Sequence, residues 1–367
     1  IAAYIYSEFI SHKIIDFNIS SILIGILENM GKKSAIIAAP IVLLYISPAP
    51  YLIMLGNIVD TMIFQSKNFE LSIIIGIIVS TIYCFKGGFK SIINTDRLQF
   101  YFMFSGFFIL TLYIIFFYDF GFIELNNIYL NNTKLFTIPG IEGWGYIIAW
   151  GFLAMLTFID PSFHQRTFAA KNKNEIKKAI KLSILFWLAF DMMTLFCGLY
   201  AINLSSNTPY ISLAELVFQN SPILYSVFVI SILSILMSTI DSFTFISAIT
   251  IGKDLRKIFN KDYKKIHINW GIFFSITISV LIILLFDNSR VLNIWLTFGA
   301  YMVSGLLIPF ICIINMRKIK KPTLFILTPI LLTLIWDFFP FYDILPMYPG
   351  LLLSCILALK LTKKKNN

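Results

Sequence analysis

Long apolar runs alternate with short polar connections along the whole chain. Ten runs stand out, at roughly 36–66, 69–85, 97–118, 144–163, 179–203, 222–251, 268–286, 292–316, 323–340 and 346–362. Most reach or approach the ~20 residues that a helix needs to cross the hydrocarbon core of a bilayer. The pattern predicts an all-α polytopic membrane protein with a single transmembrane domain over 1–367, embedded in a lipid bilayer. Ile1 to Ile10 reads as the end of a further membrane helix.

Breaks in the pattern predict irregularities. The run 36–66 contains Pro40, Pro48 and Pro50, so Ser47-Pro48-Ala49-Pro50-Tyr51 either lines a cavity or packs as a kinked helix. Gly87-Gly88 predicts a break between the second and third runs. Thr95-Asp96 would then open the next helix, where either residue can cap free backbone N–H groups. In the run 144–163, Pro161 after Asp160 predicts a helix broken at depth, with Asp160 structural near the cytoplasmic end and His164 in a solvated loop. The run 222–251 has no such breaker and reads as continuous through Ser238.

Charge fixes the topology. If connections alternate between the two sides, one side holds every Lys and Arg except Lys67, Lys134 and Arg290, that is 26 of 29. Such a bias marks the basic side as cytoplasmic and puts the C-terminus there too. Asp337 and Asp343 fall near the outer face, and the basic tail near 363–367 on the inner one. The net charge of +10 is therefore an orientation signal rather than a nucleic-acid surface, since the chain is 58% hydrophobic and only 13% charged. Cys84, Cys197, Cys312 and Cys355 all lie in apolar runs, without disulfide or metal spacing.

Polar residues inside apolar runs carry the candidate chemistry. In Ile235-Leu236-Met237-Ser238-Thr239-Ile240-Asp241-Ser242, a helix puts Ser238, Asp241 and Ser242 on one face, with Thr239 beside them. The face offers only oxygen, which suits a hard cation such as sodium. Asp191 lies in mid-run, one turn from Trp187. It is either functional or hydrogen-bonded to a neighbouring helix. Enzyme motifs such as H-E-x-x-H and G-x-S-x-G are absent, and so is a channel filter repeat.

Three ordered motifs carry a family resemblance. Met237-Ser238-Thr239-Ile240-Asp241-Ser242, followed about a dozen residues on by Lys253-Asp254-Leu255, resembles the signature of the sodium/solute symporter family. Gly87-Gly88 to Gln99, with Thr95-Asp96, resembles that family's G-G-x-x-A-x-x-x-T-D-x-x-Q loop. Gln165-Arg166-Thr167-Phe168-Ala169-Ala170-Lys171 resembles its Q-R-x-L-A-A-K loop.

The resemblance implies a leucine-transporter-type fold of two inverted five-helix repeats. In that alignment Ser7-Glu8-Phe9 and Asn29 to Lys33 belong to the loop after the second core helix. The first core helix and most of the second would be absent. It further implies sodium-coupled symport of a small organic solute, in a plasma or inner membrane. The sodium ion would be held by the Ser238 and Thr239 hydroxyls and the Ile235 carbonyl, and Asp241, Ser242 and Asp96 would form a second cation site. Asp96 is placed beside Ser242 in this reading. Tyr51, Thr157, Trp187 and Asp191 are the solute-facing candidates. Met155, Leu156 and Thr157 stand where sugar carriers of the family hold aromatic gate residues, which argues against a stacked sugar. Proton coupling through Asp241 or Asp96, or a non-transporting membrane sensor of the same fold, are the alternatives.

Overall fold

The computed structural model describes residues 1–65, 67–117, 121–170, 172–204, 208–286, 291–339 and 344–364, without the side chains of 80–91, 122 and 364. Lys171 and Arg290, which carry part of the topology argument, lie outside the described residues. In chain order the helices are α1 (Ala2–Ile5), α2 (Ser11–Asp16), α3 (Ile22–Met30), α4 (Lys32–Tyr45), α5 (Ala49–Ile63), α6 (Phe69–Phe116), α7 (Gly121–Asn131), α8 (Gly143–Ala154) and α9 (Pro161–Ala169). They continue as α10 (Lys173–Ala201), α11 (Pro209–Val217), α12 (Pro222–Ile249), α13 (Leu255–Ile258), α14 (Lys265–Leu285), α15 (Val291–Met302), α16 (Ile308–Ile314), α17 (Pro322–Phe338) and α18 (Met347–Leu361). Two short strands, β1 (Arg317–Ile319) and β2 (Thr362–Lys364), pair antiparallel. Among the described residues, seven stretches are long and apolar enough to cross a membrane: 32–63, 92–116, 143–169, 173–201, 222–258, 265–285 and 291–314. Phe69–Val79, Pro322–Phe338 and Met347–Leu361 are shorter apolar helices.

Two expectations about breaks are corrected. Helix α6 runs unbroken through Gly87-Gly88. A glycine costs about 1 kcal/mol in a helix interior, which a long proline-free stretch absorbs. Thr95 and Asp96 are accordingly not caps. The Thr95 hydroxyl donates to the Ile92 carbonyl at 2.9 Å, as an interior helical residue does. Near the N-terminus, Ser7-Glu8-Phe9 forms a π-helical turn (Tyr6–Ile10) rather than a loop, and α3 covers much of the connection that follows. Glu8 accepts from Lys177 at 2.9 Å and Lys181 at 2.8 Å. Hydrogen bonds from Lys181 and then Lys177 hold its carboxyl down at about 2.

Proline breaks the run 36–66 at Ile46 to Pro48, between α4 and α5. The buried Ser47 hydroxyl meets that of Ser279 at 2.9 Å and accepts from the Ala49 amide, so the freed backbone is satisfied inside the protein. The segment 143–169 is interrupted by a 3-10 stretch, Met155–Phe158. Helix α9 restarts with Pro161 at its first position. Asp160 caps it, accepting from the amides of Ser162 and Phe163 at 2.6 and 3.3 Å. The other carboxylate oxygen of Asp160 accepts from Tyr45 at 3.0 Å. His164 is not in a solvated loop. It is fully buried, and its Nε2 donates to the Phe158 carbonyl at 2.9 Å. Its ring packs on Phe310.

The chain forms two compact units, one of Ile1–Pro50, Ile148–Ile184 and Ile246–Asn367, the other of Tyr51–Ile147 and Leu185–Phe245. In the first, small residues bring helices together. A Cβ on Gly350 of α18 would lie 2.0 Å from the Thr333 hydroxyl of α17, so only glycine fits. The core of the second is built from Phe107, Phe218 and Phe228 with buried residues of α6, α7, α10 and α11.

Candidate cation site

Within the second unit α6 and α12 cross antiparallel. The rings of Phe107 and Phe228 meet edge to face at 5.1 Å. Ser231 lies against Gly106 and donates to the Met103 carbonyl at 3.2 Å. Two turns further along α12, and two turns back along α6, the Ser238 hydroxyl donates to Asp96 Oδ1 at 2.7 Å. Residue numbers rise on one helix as they fall on the other, so one continuous seam carries all three contacts. Gly106 permits the approach, since a Cβ there would sit 2.2 Å from Ser231 Cβ.

Asp96 therefore faces Ser238, whereas the sequence placed it beside Ser242. Further along α12, Asp241 is fully buried and Ser242, one residue on, is half-buried. Thr239 is half-buried, and its hydroxyl donates to the Ile235 carbonyl at 3.0 Å, within its own helix. The Ile235 oxygen thus accepts both this hydroxyl and its helical N–H. The Ser238 hydroxyl, by contrast, donates to Asp96 and keeps both oxygen lone pairs available to an ion. The donor set is hydroxyl and carboxylate oxygen, and the described residues contain no group of three His, Cys, Asp or Glu placed to hold a metal ion. That chemistry fits a small hard cation and not a transition metal.

The solute-facing candidates are less gathered. Tyr51 packs on Phe243 with ring centroids 5.3 Å apart. Thr157 sits half-buried in the 3-10 stretch, in the other unit. Trp187 and Asp191 are both exposed on α10, Trp187 at 46%. Of the two readings of Asp191, a side-chain hydrogen bond to a neighbouring helix is not found among the described residues; its main-chain oxygen accepts from Thr194. Met103, Gly106 and Ser231 were not singled out from the sequence. A glycine inside Phe104-Ser105-Gly106-Phe107-Phe108 was the signal, because small residues in apolar helices mark close crossings.

Among curated proteins none matches the sequence. The fold is similar to that of a Na+-coupled sialic acid symporter in its substrate-bound, outward-open state, with a TM-score of 0.76 and 15% identity, over 100% of this chain and 83% of that one. The sequence matches the sodium:solute symporter family over residues 31–321. Nearly four-fifths of the chain lies in that match, and with it the α6–α12 seam. This all-helical, multi-pass membrane protein belongs to the sodium:solute symporter family, whose members are transporters and not enzymes.

Proposed function

We propose that the protein couples inward sodium flow to uptake of a small organic solute by alternating access. The observation that carries this reading is the Ser238–Asp96 hydrogen bond, a hydroxyl and a carboxylate joined across two membrane helices at 2.7 Å. Sodium binds among Ser238, Ser242, Asp96 and Asp241, with Thr239 and the Ile235 carbonyl as further oxygen donors. Two carboxylates in a low-dielectric setting repel each other, and a cation between them offsets that repulsion. Binding therefore draws α6 and α12 into one arrangement. If the solute favours the same arrangement, the two ligands raise each other's affinity by one coupling free energy. Tyr51, Trp187 and Asp191 are the solute-facing candidates of the second unit, and Thr157 is that of the first. The basic connections face the cytoplasm.

The test is solute uptake by the full-length protein in proteoliposomes across a sodium series, with choline as the replacement cation. Ser238→Ala removes one oxygen and a hydrogen bond to a charged group, worth about 1.5–3 kcal/mol. It should raise the sodium concentration for half-maximal uptake on the order of tenfold or more. Asp96→Asn should do the same, and the double variant should lose less than the sum. Uptake that follows a proton gradient and ignores sodium would overturn the reading in favour of proton coupling at Asp96 or Asp241.

A further inference from the structure

We propose that the two-stranded ladder β1–β2, with the helix ends that it joins, is a docking site for the phosphate headgroups of anionic membrane lipids. The strands extend from the ends of apolar helices: β1 begins three residues after the end of α16, and β2 follows α18 directly. Their register places Arg317 opposite Lys364, Lys318 opposite Lys363, and Ile319 opposite Thr362. The central pair, Lys318 and Lys363, thus sets like charges directly across from each other. Such a pair is destabilising, and a ladder built around it calls for an anion.

The ladder is nevertheless well made. The Lys320 amide donates to the Leu361 carbonyl at 2.8 Å, and the Arg317 guanidinium donates to the Thr362 hydroxyl at 3.2 Å. That hydroxyl donates in turn to the Ala358 carbonyl at 2.7 Å. These bonds hold the strands at the helix ends, where bilayer headgroups lie. Arg317, Lys318, Lys320, Lys321, Lys360 and Lys363 are all exposed. No acidic residue occurs between Asp287 and Asp337 or after Asp343. Asp337 stands at the far end of α17, and among the described residues no carboxylate pairs with the platform. Residues directly opposite in an antiparallel pair share a face, with Cβ atoms about 5 Å apart. Lys318 and Lys363 can therefore reach one phosphate together. An anionic leaflet supplies that phosphate at the right depth, and each lysine near such a surface contributes about 1 kcal/mol.

The experiment uses the full chain in nanodiscs of phosphatidylcholine with and without phosphatidylglycerol, reading retained lipid by native mass spectrometry and thermal stability in parallel. Wild type should retain phosphatidylglycerol and melt higher in its presence. Lys318→Gln with Lys363→Gln should weaken retention roughly fivefold per lysine, whereas Lys261→Gln with Lys264→Gln, on another basic connection, should leave it unchanged. Lys318→Glu guards against simple misfolding, because it makes an opposite-charge pair with Lys363. It should keep stability in phosphatidylcholine and lose the gain from phosphatidylglycerol. Equal retention by the Lys318/Lys363 and Lys261/Lys264 pairs would overturn the proposal. So would full stabilisation by soluble glycerophosphate, which would make the ladder a free-phosphate site.

Discussion

Gly106→Ala tests whether the close crossing of α6 and α12 holds the cation site together. The new Cβ would lie 2.2 Å from Ser231 Cβ and 2.6 Å from its hydroxyl. Carbon atoms rest at about 3.5–4.0 Å, so the helices must part locally by more than an ångström. Overpacking of this kind costs about 1–3 kcal/mol. Asp96 is ten residues along α6 from Gly106, about 15 Å at the helical rise. A rigid helix pushed outward at Gly106 carries Asp96 with it and lengthens the 2.7 Å bond to Ser238. We expect a lower melting temperature and a higher sodium requirement for uptake. Ser231→Gly removes both clashing atoms, and the next atom, Phe228 Cα at 3.5 Å, is an ordinary contact. By itself it costs about 1 kcal/mol as a helix glycine and loses the bond to Met103. In combination with Gly106→Ala it should restore much of the sodium response. Gly151→Ala, with nothing within 4 Å of the new Cβ, is the control and should be silent. Melting curves and uptake across a sodium series decide the matter. If Gly106→Ala behaves as wild type, or if the second substitution only adds further loss, the seam does not govern the site.

Other outcomes follow from single contacts. Thr239→Val, which removes the hydroxyl that donates to Ile235, should shift sodium activation less than Ser238→Ala, because the Thr239 hydroxyl bonds within its own helix whereas that of Ser238 donates to Asp96. Asp160→Ala removes the cap of α9 and the acceptor for Tyr45; capping accounts for about 1 kcal/mol, and the melting temperature should fall further than for Tyr45→Phe. His164→Leu leaves the buried Phe158 carbonyl without its donor, at about 1–3 kcal/mol, and His164→Gln, which keeps an N–H, should recover part of the stability. Gly350→Ala should destabilise strongly and resist rescue by Thr333→Ala, because the Pro329 carbonyl lies 2.9 Å from the new Cβ and is backbone.

The sequence made the helices legible because lipid forces it to: a spanning segment must be apolar over its whole length and satisfy its backbone internally. The interruption before α9 was legible for a related reason, since Asp160-Pro161 combines a cap with a residue that cannot continue a helix. Gly87-Gly88 misled because glycine only weakens a helix, and nothing local tells whether the neighbours outweigh that cost. His164 misled because burial of a connection depends on what covers it. Tyr6 and Phe310, which pack on its ring, lie more than a hundred residues away along the chain. Asp96 and Ser238 were both picked out, but their direct pairing spans 142 positions. Only the register of α6 against α12, set by Gly106 and Ser231, places one opposite the other. The solute candidates scattered for the same reason: Trp187 and Asp191 share a helical face, but what that face meets is not written in α10.

A cation site of this construction is also a device for linking ion binding to helix packing. Asp96 is reached from α12 through Ser238, and Asp241 is buried one turn further on. Burying a carboxylate is costly unless it is paired. The Ser238 hydroxyl offsets part of that cost for Asp96. In the site proposed above, sodium would sit between oxygen donors of both helices and so bind best where α6 and α12 stand close together. The ion therefore stabilises the closed seam over any opened one by its differential affinity, and over the unfolded chain by mass action. Raising sodium from one to one hundred times its dissociation constant should add about 2.3 kcal/mol to the stability of the second unit, visible as a sodium-dependent rise in melting temperature at constant ionic strength. Ser238→Ala and Asp96→Asn should flatten that rise while leaving the effect of potassium or choline as in wild type. A rise that persists in both variants would place the ion elsewhere in the molecule.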